Sequence, residues 1–237
     1  MRRYAKALTA MVIVILRSLF LYGFSLLRKG SVLLSFTHIA ITYIFGLNDI
    51  RFLVLYTLPI LITYYILEMR KILLYTLTIS SIPGLWMALT QLLLDLAKGY
   101  INPFRCIAIY ARATLVTVNT MYILHTFNPT EVSILFSKVN RFAGVYPQLF
   151  FRVASFLVKE GIEIVYTHAL KKESIWKTLA IIILRGEELA KGFSEGLIPK
   201  YRRYRPIVIY SLRAIAIQFA VIAYDIVITF VLIFIAP

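Results

Sequence analysis

The chain has 237 residues, 60% of them hydrophobic and only 16% charged, with a mean hydropathy of +0.81. That share of apolar residues exceeds what soluble domains carry and excludes a water-soluble globule, because too little polar surface remains to cover the core. The formal charge of +15 would point to nucleic acid in a soluble protein, but beside apolar runs it reads as membrane topology.

Residues 1–27 open with Met1-Arg2-Arg3-Tyr4-Ala5-Lys6 and then turn apolar. No small-residue cleavage site follows, so no cleaved signal peptide is expected. Arg17 sits mid-segment, where a centred charge costs roughly 2.5–3.5 kcal/mol on insertion scales. The segment therefore either packs Arg17 against other helices or lies along the interface. Four clearer spans follow, at about Val32–Leu47, Phe52–Leu67, Ile72–Leu94 and Ile107–Leu124. A span needs about 20 largely apolar residues to cross a ~30 Å hydrocarbon core. Pro59 and Pro83-Gly84 are expected to interrupt two of them, as neighbouring helices can tolerate.

His125–Arg205 is the one long stretch too charged for a bilayer. Of the 26 basic residues, 13 fall between Lys138 and Arg205, so this stretch is expected in the cytoplasm against anionic lipid. Arg28-Lys29 and Glu68–Lys71 then share its side, while Asn48–Arg51 and Ala97–Arg105 face outward. An even number of spans before His125 keeps the basic N-terminus inside and favours a non-spanning 1–27.

Three amphipathic helices are predicted in this stretch. In the first, Asn128 is the N-cap, Pro129 takes the first helical position and Glu131 lies three residues past the cap. Val132, Leu135, Phe136 and Val139 form its apolar stripe, Lys138 and Arg141 suit its last turn, and Gly144 ends it. The second begins near Pro147 and places Phe150, Val153, Ala154, Leu157, Gly161, Ile164 and Val165 on one face. Arg152, Lys159, Glu160 and Glu163 lie opposite, and the helix runs into His168–Lys172. The third starts near Ser174, with Leu179, Ile182, Ile183, Leu189, Ala190 and Phe193 on one side and Glu187, Lys191 and Glu195 on the other. Gly196 and Pro199 stop it. Together the three make a platform with one face on lipid or the bundle and the other free for a partner.

The last span runs from about Ile207 to Ile235, longer than one crossing requires, so tilt or a cytoplasmic extension is expected. It carries Arg213 near its cytoplasmic end and Asp225 deep inside. An intramembrane acid is a candidate functional site; the structural alternative is a buried partner for Arg112 or Arg17.

Catalytic signatures are absent from the sequence: no HExxH, GxSxG or GxxxxGK[ST], and no aspartate pair of the kind that holds metal for phosphate transfer. Cys106 is alone, so no disulfide or cysteine metal site is expected. Of His38, His125 and His168, the first lies in an apolar span, where a histidine is expected as hydrogen-bonded structure, not as a metal or haem ligand. No cofactor is expected, and without a nucleotide-binding loop any ATP must be bound by another chain.

The run Arg112…Thr117…His125-Thr126-Phe127-Asn128-Pro129-Thr130-Glu131-Val132 resembles the span ending in a Thr-Thr-Asn-Pro-x-Glu-like pattern in T components of energy-coupling-factor transporters, the CbiQ-like family. The downstream order is similar as well: a proline-led helix with Phe151-Arg152 and Glu160, coupling helices, basic Arg202-Arg203-Tyr204-Arg205, then a final span. The similarity covers residues 105–237, and the N-terminal spans match only by hydropathy.

The resemblance implies a membrane scaffold, not an enzyme. Its cytoplasmic helices end in short Ala-Arg-Gly-like signatures that insert into grooves of two ATP-binding-cassette ATPases. It also holds a small substrate-binding membrane subunit, thought to topple as ATP is bound and hydrolysed. Carried onto this chain, the family motif is Arg112, Thr126, Asn128, Pro129 and Glu131. The docking residues are Ala169, Leu170, Lys171 and Lys172, with Phe193, Glu195 and Gly196. Both signatures depart from the family: Lys stands for Arg in the first and Glu195 occupies the basic position of the second. Leu184-Arg185-Gly186 looks like the motif but lies too far before Arg202–Arg205.

The expected fold is thus an all-α polytopic membrane protein of five or six membrane helices, with a cytoplasmic arm of amphipathic coupling helices. Its parts are residues 1–124, 125–205 and 206–237, and its place is the plasma membrane. The expected role is uptake of a vitamin or a transition-metal ion such as cobalt or nickel, with specificity on the separate subunit and no nucleic acid involved. The alternative is a self-contained secondary transporter or channel using Arg112 and Asp225, for which the two halves would show internal symmetry; none is visible.

Overall fold

The computed structural model describes residues 14, 26–47, 49–140, 143–203 and 207–235. Among these the chain is all-α, with no strand. A 3₁₀ turn at Leu26–Lys29 precedes eight α-helices: α1 Val32–Gly46, α2 Ile50–Ile66, α3 Arg70–Ala97, α4 Pro103–Thr126, α5 Pro129–Val139, α6 Val145–Lys171, α7 Ile175–Arg203 and α8 Leu212–Ile235. They fall into two compact units, one built from Gly30–Phe127 with Ser211–Pro237, the other from Met1–Lys29 with Asn128–Tyr210. Arg17 and nearly all of residues 1–25 lie outside the described residues.

Among the described residues three helices, α3, α4 and α8, are long and apolar enough to cross a membrane. The chain is a membrane protein by that measure. At 1.5 Å per residue, α1 and α2 extend only about 23 and 26 Å, short of a hydrocarbon core of ~30 Å. The last helix starts at Leu212, so residues 207–211 do not lengthen it.

Local chemistry sets the boundaries of the first unit. The Asp49 side chain accepts from Arg51 N at 2.9 Å and starts α2, and Asn102 accepts from Arg105 N at 3.2 Å ahead of Pro103, which takes the first turn of α4. Contrary to expectation, Pro59 and Pro83 interrupt nothing: α2 and α3 run through them. Each proline removes a single donor, and the neighbouring turns hold the ladder. Gly84 has a packing role, since a Cβ there would lie 2.9 Å from the Tyr110 carbonyl oxygen on α4. With Thr76 and Ser80 it forms a buried small-residue stripe at every fourth position of α3, which lets two membrane helices approach closely.

The core of this unit is one face of α2, where Leu53, Tyr56, Ile60 and Tyr64 are fully buried, and it meets Val118 and Tyr122 of α4. Gln218 ties α8 to the start of α1. Its Nε2 donates to the Ser31 carbonyl at 3.1 Å and to Ser35 Oγ at 2.9 Å, and its Oε1 accepts from Ser31 N at 2.8 Å.

In the second unit α6 and α7 form an antiparallel hairpin, with Gly186 against Leu157, Gly161 against Ile182 and His168 bonded to Thr178 Oγ1 at 3.0 Å. The buried residues described on α6 are Ala154, Val158, Gly161, Ile162 and Val165; Ala154, Gly161 and Val165 belong to the predicted face, whereas its Phe150 is exposed. The cap of α5 is as read from the sequence: Asn128 accepts from Thr130 N at 3.1 Å and Glu131 N at 3.3 Å. Its predicted stripe is not its buried face, because Leu135, Phe136 and Val139 are exposed and only Val132 and Ser133 are covered. Nor does Gly144 end α5, which stops at Val139 with Asn140 as its cap. The Gly144 carbonyl instead accepts from the Ser133 hydroxyl. Gly196 and Pro199 do not stop α7, which continues to Arg203. The carbonyl that Pro199 leaves without a donor belongs to exposed Glu195, where a surrounding polar phase can satisfy it.

Candidate functional site

The first unit contains a buried polar network drawn from four helices. Asp225 of α8 is fully buried, and among the described residues its partner is not Arg112 but His38 of α1: Nδ1 and Oδ2 lie 2.6 Å apart; the alternative partner Arg17 lies outside the described residues. Arg112 is exposed on α4 and makes no ion pair with Asp225. His38 Nε2 faces Asn119 Oδ1 of α4 at 3.1 Å. Asn119 Nδ2 in turn donates to Thr57 Oγ1 of α2 at 2.7 Å and to the Leu115 carbonyl at 2.8 Å. The Thr57 hydroxyl donates a hydrogen bond to the Leu53 carbonyl at 2.7 Å.

This connectivity fixes the protons. Both Asn119 amide hydrogens are used, so its oxygen is the atom offered to His38 and Nε2 must carry a hydrogen. One further proton lies between Nδ1 and Oδ2. Whether it resides on nitrogen or on oxygen, the pair as a whole is neutral. Neutrality is what an apolar bundle demands, since an isolated buried charge is expensive.

Around the pair stand tyrosines and a second histidine. Tyr122 sets its ring edge-on to His38 at 5.6 Å and to Tyr64 at 6.3 Å, and the Tyr64 hydroxyl is hydrogen-bonded to His125 Nδ1. On the other side, Tyr56 Oη and Thr229 Oγ1 meet at 2.6 Å, and Thr229 donates to the Asp225 carbonyl at 2.7 Å. Tyr56 and Thr229 also line a cavity of about 150 Å³ with Phe45, Phe52, Leu232 and Ile233. Two buried polar atoms of the network have no partner: Asp225 Oδ1 and Tyr122 Oη. Among the described residues, no three His, Cys, Asp or Glu gather as a metal site would require.

In the second unit the structure scatters the residues expected to dock ATPases. Ala169, Leu170 and Lys171 form the end of α6. Lys172 follows at φ 57°, a left-handed residue that turns the chain, and Glu173 N donates to the His168 carbonyl at 3.0 Å. At this tip Leu170 is 83% exposed, and Trp176, in the first turn of α7, is 78% exposed. Phe193, by contrast, is half-buried on Phe156 with ring centroids 5.3 Å apart, so its ring is already used inside the hairpin. Glu195 and Gly196 are exposed but lie within α7, not at its end. Arg185 serves the hairpin too: Glu188 and Glu160 accept from it at 2.7 and 2.8 Å and hold its guanidinium charged, its pKa raised above the ordinary value.

The family-motif residues have local structural work. Thr126 donates to the Tyr122 carbonyl at 2.9 Å. Asn128 and Pro129 start α5, and the Glu131 side chain is hydrogen-bonded to the Tyr210 hydroxyl, which burial and the nearby carboxylate hold protonated above its usual range. Phe151 lies under the Arg28 guanidinium, 5.1 Å from the ring centre. Of the buried network, the sequence singled out Asp225, together with His38 as hydrogen-bonded structure. Asn119, Tyr122 and Tyr64 were missed, although an Asn in an apolar run with Tyr three residues on and His six on is a legible signal. Trp176 was missed at the tip.

Compared with protein-family models, with curated proteins and with solved structures, the chain matches none.

Proposed function

We propose that the chain is the transmembrane coupling subunit of an energy-coupling-factor type transporter in the plasma membrane, multi-pass, with its helical hairpin in the cytoplasm. Two ATP-binding-cassette ATPases grip the hairpin, and a small membrane subunit that binds the substrate, a vitamin or a transition-metal ion, rides on the bundle. One observation carries the reading. A stiff antiparallel pair of helices, 27 and 29 residues long, ends in a tip that exposes Leu170, Lys171, Lys172 and Trp176, and in sequence it lies between two apolar membrane segments.

The physics of the role is mechanical. A hairpin cross-tied by Arg185 to Glu160 and packed through Phe156 and Phe193 transmits a push along its length and does not bend at once. The tip offers two large apolar side chains with lysines between them, the composition of an anchor that fills a pocket on an acidic partner. About 800 Å² per partner would be an ordinary interface for it. Lys171 stands where the family has arginine, and a point charge cannot make the two-pronged bond of a guanidinium. Affinity at this end then rests more on Leu170 and Trp176.

The test is purification from mild detergent. Two nucleotide-binding subunits and a small membrane protein should co-purify with the wild-type chain. Leu170→Ala with Trp176→Ala should release the ATPases, each true hot spot contributing about 2 kcal/mol or more. Full retention by the double variant, or purification of the wild type alone, rejects the role.

A further inference from the structure

The geometry points to a second property of this chain: the His38–Asp225 pair is a proton-transfer site, and Tyr122, Tyr64 and His125 are its path through the bundle. The site involves no residue of α5, α6 or α7, so proton transfer and motor coupling are separable properties.

Four observations carry it. First, the donor pattern places one proton in a 2.6 Å contact between Nδ1 and Oδ2. That proton can sit on either atom with the pair neutral, so its position costs little, whereas losing it leaves a buried charge. Second, the unpartnered atoms are Asp225 Oδ1 and Tyr122 Oη, both on residues that touch the His38 ring. Unmet hydrogen-bonding capacity of this kind is rare in packed interiors and is what a bound water carrying a proton would satisfy. Third, the ionisable rings continue in a row: His38, Tyr122, Tyr64 and His125 lie in successive edge-on contacts at 5.6, 6.3 and 5.7 Å. Fourth, the groups are supplied by separate elements: His38 by α1, Tyr56 and Tyr64 by α2, Tyr122 and His125 by α4, and Asp225 by α8. No Lys or Arg among the described residues pairs with Asp225 to hold it permanently ionised. Acid and histidine chains inside membrane segments are the means by which transporters relay protons.

The step balances as follows. The shared proton leaves Asp225 for a water held between Oδ1 and Tyr122 Oη, breaking an O–H bond and forming one on water. Each hydroxyl along the row, Tyr122 and then Tyr64, accepts one proton and releases one, with water bridging the space between them. The last transfer forms an N–H bond on His125, in the last turn of α4, as its other ring nitrogen gives up a proton. A proton arriving at Asp225 from the side of Tyr56 and the cavity restores the neutral pair. One proton has moved, nothing is oxidised, and no other reactant is consumed.

The full chain, reconstituted in liposomes that enclose a pH-sensitive dye, tests this. A potassium gradient with valinomycin supplies the driving force. Wild type should acidify the lumen faster than protein-free vesicles. Asp225→Asn should lose that rate by on the order of a hundredfold, the usual worth of a positioned proton-transfer group. Because Asp225→Asn could fail to assemble, Tyr64→Phe is the second variant: it keeps the ring against Tyr122 and His125 and removes only the hydroxyl, and it should lose most of the flux while eluting as wild type on gel filtration. Flux equal to that of empty vesicles, or unchanged in a folded Tyr64→Phe chain, overturns the assignment.

Discussion

Replacing Asn119 by leucine removes the hub of the buried network at almost constant volume. Asn119 is fully buried and makes three hydrogen bonds, but they are not equally exposed to loss. Thr57 still donates to the Leu53 carbonyl, and the Leu115 carbonyl remains within its helix. The orphan is His38 Nε2–H, left facing a methyl group. A buried donor stripped of its acceptor costs about 1–3 kcal/mol, whereas hydrogen bonds between membrane helices average only about 0.6 kcal/mol and reach about 1.7. The lower range applies if His38 finds another acceptor, the upper if packing by Tyr122 holds the ring. We expect about 1–2 kcal/mol, read from unfolding in mixed micelles of increasing denaturing detergent. The decisive measurement is the double-mutant cycle with His38→Leu. If the two side chains are bonded, the second replacement costs less in the presence of the first, with a coupling of about 1 kcal/mol. Strictly additive costs would mean that the network is not formed.

Other expectations follow from single contacts. Gly84→Ala should force α3 and α4 apart, because the added methyl meets the Tyr110 backbone oxygen at 2.9 Å; the loss should be about 1–3 kcal/mol in the same detergent titration. Asn128→Ala strips the cap from Thr130 N and Glu131 N and should cost α5 about 1 kcal/mol, seen as faster amide exchange in its first turn. At the hairpin turn, the bond from Lys177 holds the exposed Glu173 carboxyl below its ordinary range. A depressed carboxyl pKa stabilises above the unfolded value and is lost as pH falls through the folded one. Acidification should therefore loosen the turn, and Lys177→Met should abolish that pH dependence in a hydrogen-exchange titration.

The apolar segments were legible in the sequence because hydropathy over twenty residues averages away local detail. The helices at 70–97, 103–126 and 212–235 overlie the predicted spans closely. What hydropathy cannot register is a proline within a packed bundle. Pro59, Pro83 and Pro199 were read as breaks, yet each removes one bond from a ladder that its neighbours keep. The N-cap at Asn128 was readable because its signal lies within four consecutive positions, Asn128 to Glu131. The partner of Asp225 was not, since His38 lies 187 positions away and charge matching favoured an arginine. An arginine would have needed a full ion pair in the bundle, whereas histidine lets the acid be neutral by sharing a proton. The stripe on α5 was misplaced for a different reason: periodicity finds an apolar face but does not say whether the chain itself covers it.

The hydroxyls explain why the network at Asp225 stands out from ordinary membrane polarity. Thr42, Thr57, Thr63, Thr117, Thr126 and Thr229 each donate to a carbonyl one turn back in their own helix. Bonds of that kind let a polar side chain sit in hydrocarbon without recruiting another helix. Among the described residues of this unit, the buried atoms that lack any partner are Asp95 Oδ2, whose other oxygen accepts from Gln91 within α3, and two further groups. Thr76, Ser80 and Thr114 lie along α3 and α4, the pair that meets at Gly84, where small residues are selected for close approach. Asp225 and Tyr122 lie against His38, where side chains are large, ionisable and drawn from different helices. Close packing accounts for the first group by size alone. It gives no reason for an acid, an imidazole and a phenol to meet in the second, where leucine and phenylalanine would have packed at lower cost. Acids and histidines inside membrane segments are candidates for proton paths, and Tyr64→Phe, which leaves the packing intact, separates that reason from a purely structural one.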